Sequence, residues 1–269
     1  MRVLAGLAAL VLALTACGGE PGTVRADGTT PSTAPSPATT APAAPSPAAT
    51  TPAPAASPAR TPSRPPKGPN LSGCYTRADG KIFSYGDDLP GVVMGKGRVG
   101  VVISYERGGT PCTWRPLADR LVAAGYRVLL YATDVAALPS DTIVAMTRRL
   151  TKDGKVGKVF LVGGSVGGIF SVTAALELGD RVAGVVDLAG PPDAEETAKL
   201  KVPLLQVVAE GDGRVPETMR AAHEAATGSA DRRLVVVPDE AAHASALFET
   251  PHGTEVLDTV LDFMAGHRG

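Results

Sequence analysis

The chain predicts an α/β domain: a mostly parallel sheet of about seven or eight strands with helices on both faces, held within its last 200 residues. Two observations carry this. From residue 81 onward, short β-branched runs alternate with stretches of helical periodicity, and strand, helix, strand in that rhythm requires parallel strands covered on both sides. The chain of 269 residues is also sharply uneven, with 14 of its 24 prolines between Pro21 and Pro69 and all 11 aromatic residues at or after Tyr75. The first quarter therefore has nothing with which to build a core, whereas the remainder has the length of one ordinary domain.

Taken in order, residues 1–16 read as an export signal. Arg2 supplies the positive start, and the apolar run 3–14 is too short to span a membrane. Leu14-Thr15-Ala16-Cys17-Gly18 resembles a bacterial lipobox. The resemblance implies that Cys17 carries the lipid and begins the mature chain, so that the membrane is a partner and the protein faces outward from the envelope. Each buried CH₂ of an acyl chain contributes about 0.8 kcal/mol, so several chains on one cysteine hold durably. Residues 17–69 are Ala, Pro, Ser and Thr in near-repeats such as Ala34-Pro35-Ser36-Pro37. Proline removes donors and no large apolar side chain offsets ordering entropy, so the expectation is a disordered tether. At about 3.1 Å per residue its reach is on the order of 150 Å, and its composition also permits O-glycosylation.

Residues 70–269 form the expected domain. They carry 21 Lys+Arg against 25 Asp+Glu, a net charge of −4, and without a basic block nucleic acid is not the expected partner. Strands are expected at Val99–Ser104, Arg127–Tyr131, 158–162, Val182–Leu188, 202–209 and Arg232–Val237. Helices are expected from Trp114 to Gly125, along the face marked by Ile143, Met146 and Leu150, and at Val166–Leu178, 194–200, 216–227 and 255–265. Ligands of such sheets bind beyond the carboxyl ends of the strands.

After strand 158–162 comes Gly163-Gly164-Ser165-Val166-Gly167-Gly168, a G-x-S-x-G turn leading into a helix. The turn demands small neighbours and lifts the Ser165 hydroxyl above the sheet, with the Val166 N–H at a helix start where it can meet an oxyanion. A serine hydroxyl needs a base, and the base an orienting carboxylate. Asp212 follows one later strand and His243 another. Glu210 and Asp187 are rival acids, and His252 is the rival base; His223 and His267 read as surface residues.

With these pieces in hand, residues 97–264 resemble an α/β-hydrolase of the small, capless, dienelactone-hydrolase-like kind. The matching features are the serine elbow, Asp212-Gly213-Arg214-Val215-Pro216 and the late histidine. The resemblance implies a Ser165–His243–Asp212 triad and hydrolysis of a soluble carboxylic ester or lactone through an acyl-enzyme. The 13 residues 189–201 cannot make a cap, so an open site is expected.

The pattern departs at the loop after Val99–Ser104, which should give the second oxyanion donor. It reads Tyr105-Glu106-Arg107-Gly108-Gly109 rather than His-Gly, leaving the backbone of Arg107 or Glu106 as donor. A carboxylate at Glu106 would oppose an oxyanion unless it points away or pairs with Arg107. Arg107 could instead read an anionic substrate. Cys74 and Cys112 are expected to pair in an exported protein, two unpaired thiols being the alternative. No metal or cofactor motif is present, and a monomer is the simplest expectation. A degenerate, non-catalytic binding module is the rival reading from another class; acyl transfer or peptide cleavage by the same three residues is the rival within enzymes.

Overall fold

The computed structural model describes residues 73–268. The expected export signal, Cys17, the tether 17–69 and the first residues of the expected domain lie outside them. Among the described residues eight strands form one sheet: β1 (Lys81–Tyr85), β2 (Leu89–Met94), β3 (Val99–Ser104), β4 (Arg127–Tyr131), β5 (Lys158–Gly164), β6 (Val182–Leu188), β7 (Leu204–Ala209) and β8 (Arg232–Val237). Their spatial order is β1-β2-β4-β3-β5-β6-β7-β8. From β4 to β8 every pairing is parallel, while β1 pairs with β2 and β2 with β4 antiparallel. The helices are α1 (Arg115–Ala123), α2 (Pro139–Thr151), α3 (Val166–Leu178), α4 (Ala194–Lys199), α5 (Val215–Ala225) and α6 (Gly253–Gly266).

This is the expected class, an α/β-hydrolase fold, with corrections of detail. The antiparallel hairpin β1–β2 was not among the expected strands; half-exposed positions and Pro90-Gly91 blur its alternation. β7 starts at Leu204, not at residue 202, because Pro203 has no N–H to give; its carbonyl still accepts from the Val185 N–H at 2.9 Å. β5 runs on to Gly164, and a 3-10 turn, Pro111–Trp114, precedes α1. Between β6 and β7 the chain makes α4, six residues long, and no cap.

The central strands are apolar on both faces, and alternate residues feed two cores. Val101, Ile103, Leu130, Phe160 and Val162 pack under α1 and α6, against Trp114, Leu121, Val260 and Phe263. Val102, Leu129 and Leu161 face the other way, toward α2 and α3, against Ile143, Leu150 and Val172. Each full burial of such a side chain contributes roughly 1.5–3 kcal/mol, so the sheet is clamped from both sides and its upper edge is fixed.

Cys74 and Cys112 form a disulfide with Cα atoms 5.6 Å apart, tying the segment before β1 to the turn that opens α1. Their separation of 38 residues corresponds to about 4 kcal/mol in the chain-entropy account. Replacing both cysteines by serine should lower unfolding free energy by about that amount in urea titrations.

Candidate active site

At the top of β5 the backbone turns through Ser165 with φ 51° and ψ −120°. A side-chain-bearing residue at positive φ costs of order 1–3 kcal/mol. The neighbours explain how the turn is accommodated. A methyl group on Gly163 would lie 2.3 Å from the Gly167 carbonyl carbon, and one on Gly167 would lie 2.0 Å from the Ser104 carbonyl oxygen. Only glycine permits β5, α3 and the end of β3 to meet this closely. The Ser165 N–H donates to the Leu188 carbonyl on β6 at 2.8 Å, and the Ile169 N–H to the Ser165 carbonyl at 3.0 Å. Val166 is the first residue of α3, so its N–H belongs to the turn whose amides have no carbonyl within the helix.

Asp212 sits on the loop between β7 and α5, and His243 on the loop after β8. Asp212 Oδ2 lies 2.7 Å from His243 Nδ1. The acid is 15% exposed and the imidazole 41%. With Nδ1 committed to the carboxylate, the imidazole is held in the tautomer that leaves Nε2 to accept a proton. The histidine loop abuts the serine turn: a methyl group on Gly164 would come within 2.9 Å of Ala244 Cβ and 2.7 Å of Trp114 Cζ2.

The rival residues are placed elsewhere. Glu210 is exposed and receives the Asp239 N–H at 3.4 Å. His252 stands beside Glu255, three residues along, at 3.5 Å. His267 pairs with Asp231 at 3.1 Å. His223 is half-buried on α5, and burial, with Arg232 nearby, draws its imidazole below the ordinary value.

Asp187 is sealed beneath the serine turn. Its Oδ1 accepts the Gly190 N–H at 2.9 Å, and its Oδ2 has no hydrogen-bond partner. Burial pushes this carboxyl well above its usual range, against the opposing pull of the Gly190 N–H and the Gln206 side chain. A methyl group on Gly190 would reach within 2.4 Å of the Ser165 carbonyl oxygen, so the Asp187–Gly190 bond shapes the floor on which Ser165 stands. Sequence reasoning weighed Asp187 only as a partner for the histidine.

Glu106 follows β3, and its carboxylate is bound on several sides. Trp114 Nε1 donates to Oε2 at 2.8 Å, Thr113 Oγ1 to Oε1 at 3.5 Å, and Ser245 Oγ to Oε1 as well. Its partners are thus an indole and hydroxyls, not Arg107, and the charge is held by donors on the α1 and histidine loops. Arg107 is exposed. Together with Tyr105, Thr133, Asp134, Val166 and Phe170 it borders a cavity of about 540 Å³ alongside the serine turn. Among the described residues no group of three or more His, Cys, Asp or Glu side chains is placed to hold a metal ion.

The Alpha/beta hydrolase family model matches residues 106–245, and the chain belongs to that family. Among solved structures it is similar to a dienelactone hydrolase from Anabaena variabilis. The identity there is 24%, over 71% of this chain and 100% of that one, with a TM-score of 0.60. An esterase from Pyrococcus furiosus is 16% identical over 75% of this chain and 99% of its own, also at 0.60. A monoacylglycerol lipase from Paleococcus ferrophilus is 17% identical over 66% and 99%, at 0.59. No curated protein sequence matches the chain.

Asp187 yields a pH prediction. Burial holds its carboxyl above the ordinary carboxylate range in the folded state, so the folded chain keeps a proton that the unfolded chain releases. Stability from this group is full below about pH 4 and falls as pH rises toward the folded value, by up to about 1.4 kcal/mol per pH unit. Asp187→Asn keeps an acceptor for Gly190 and removes that slope. Urea titrations at pH 5 and pH 8 should show the variant gaining on the wild type at the higher pH.

Proposed function

We propose that this domain is a serine hydrolase that cleaves a carboxylic ester or lactone through Ser165, His243 and Asp212. The observation that carries the reading is the Asp212–His243 hydrogen bond of 2.7 Å, with Ala244, next to the histidine, lying against Gly164 of the strained serine turn. In this mechanism Ser165 Oγ attacks the substrate carbonyl carbon while His243 Nε2 takes its proton. Asp212 keeps the Nδ1–H oriented and stabilises the imidazolium. The oxyanion receives N–H groups from Val166 and from the 105–109 loop, at Arg107 or Glu106. The imidazolium then protonates the departing alcohol, and water, activated by the same imidazole, releases the acid from Ser165. For a lactone both products are one hydroxy acid.

The 540 Å³ cavity at the 105–109 and 133–139 loops would hold the group flanking the ester. With only α4 between β6 and β7, substrates that are soluble or that protrude from a larger molecule fit this reading better than one requiring a lid. In the same reading the domain is displayed outward on a lipid at Cys17. The Cys74–Cys112 disulfide supports an oxidising compartment.

Labelling with a fluorophosphonate separates the enzyme from a binding module on the same fold. Wild type should label strongly, and Ser165→Ala should lose the label and about 10³-fold or more of p-nitrophenyl acetate turnover. Absence of label on folded wild type overturns the proposal. Turnover of a lactone, a peptide and an acyl acceptor then sorts the chemistry within the class.

A further inference from the structure

At the end of the sheet opposite the serine turn lies a second concavity, of about 860 Å³. Its walls come from the start of β1, the end of β2, the start of β4 and the segment closing α2, which in the parallel part of the sheet is the amino-terminal edge. Six cations line it: Lys81, Lys96, Arg127, Arg149, Lys152 and Lys155. The domain as a whole is acidic, yet this groove holds six of its 21 basic residues and, in Asp79 and Asp153, only two of its 25 acids.

Those two carboxylates are already engaged. Asp79 is paired at 2.7 Å with Arg115, which lies outside the lining. Asp153 sits between Arg127 at 3.6 Å and Lys155 at 3.4 Å. Lys81, Lys96, Arg149 and Lys152 stand without a carboxylate partner among the described residues. The Arg149 guanidinium is laid over the Phe83 ring at 3.9 Å, which fixes one of these charges in place without neutralising it.

We infer that this groove binds a soluble polymer chain bearing repeated phosphate groups. Its volume is that of sites enclosing a molecule of many atoms, not a lone ion. Ammonium groups along a cleft suit successive phosphates, which they meet as point charges. A lipid surface fits poorly: the wall is concave, and the exposed large apolar side chains, Val135 and Leu138, are not in it. Single-stranded nucleic acid would want an open aromatic face, and Phe83 is 8% exposed beneath Arg149. The inference is independent of the hydrolase reading, because none of these residues touches the serine turn.

The test uses the full chain carrying Cys17→Ser, so that no acyl chain is added, with fluorescently labelled inorganic polyphosphate as probe. Four unpaired cations predict a slope of log affinity against log salt of about −3. Lys81→Gln/Lys96→Gln/Lys152→Gln should reduce the slope to about −1 and weaken binding at low salt tenfold or more. An equal charge change elsewhere, Lys199→Gln/Lys201→Gln/Arg220→Gln, should leave affinity within about twofold, circular dichroism melts showing that both variants fold. Three outcomes overturn the inference: no polyphosphate binding by the parent chain, equal loss in the two triple variants, or capture of phosphatidylglycerol vesicles through these lysines without polyphosphate binding.

Discussion

The backbone at Ser165 occupies a region that an L-residue avoids, and much of the upper sheet is arranged around keeping it there. Strain of this kind persists only where the surroundings over-determine it. Here they do so through contact distances that exclude any side chain at Gly163 and Gly167 and through the β6 carbonyl that takes the Ser165 N–H. The two cores on either face of the sheet supply the rigidity. Because β3, β5 and β6 are buried on both sides, their upper ends cannot relax apart to relieve one turn.

Glu106 extends the same constraint sideways. One carboxylate accepts from Trp114 at the head of α1, eight positions on, and from Ser245 beyond the histidine, 139 positions on, so the loop after β3 and the distant histidine loop share a single hydrogen-bonding centre. A charge that looks hostile to a developing oxyanion when read along the chain is held by an indole and by hydroxyl donors instead. Asp187 plays a parallel part below the turn, where its burial favours the neutral carboxyl.

The fold was legible because its signals are local. The β-branched runs, the glycines around Ser165 and the spacing of apolar residues on the helices each act within a few positions. The loops bearing Ser165, Asp212 and His243 could be placed from the strands that precede them. The hairpin β1–β2 was harder to read, since an edge pair with Pro90, Gly91 and half-exposed positions lacks a clean alternation. The bond from Ser245 to Glu106 was not readable at all: the two are 139 positions apart, and no pattern in the chain announces that contact. The basic groove is hidden for the same reason, its cations being scattered over 75 positions, from Lys81 to Lys155, and gathered only by the antiparallel return of β2 beside β4.

The bridge between Cys74 and Cys112 joins the only two cysteines among the described residues. Within this domain there is therefore a single way to pair thiols, and the reduced, unfolded domain has no mispaired isomer of its own to escape when it reoxidises. Refolding after reduction should depend on the availability of an oxidant and not on an isomerase. A shuffled bond would require Cys17 or a second molecule.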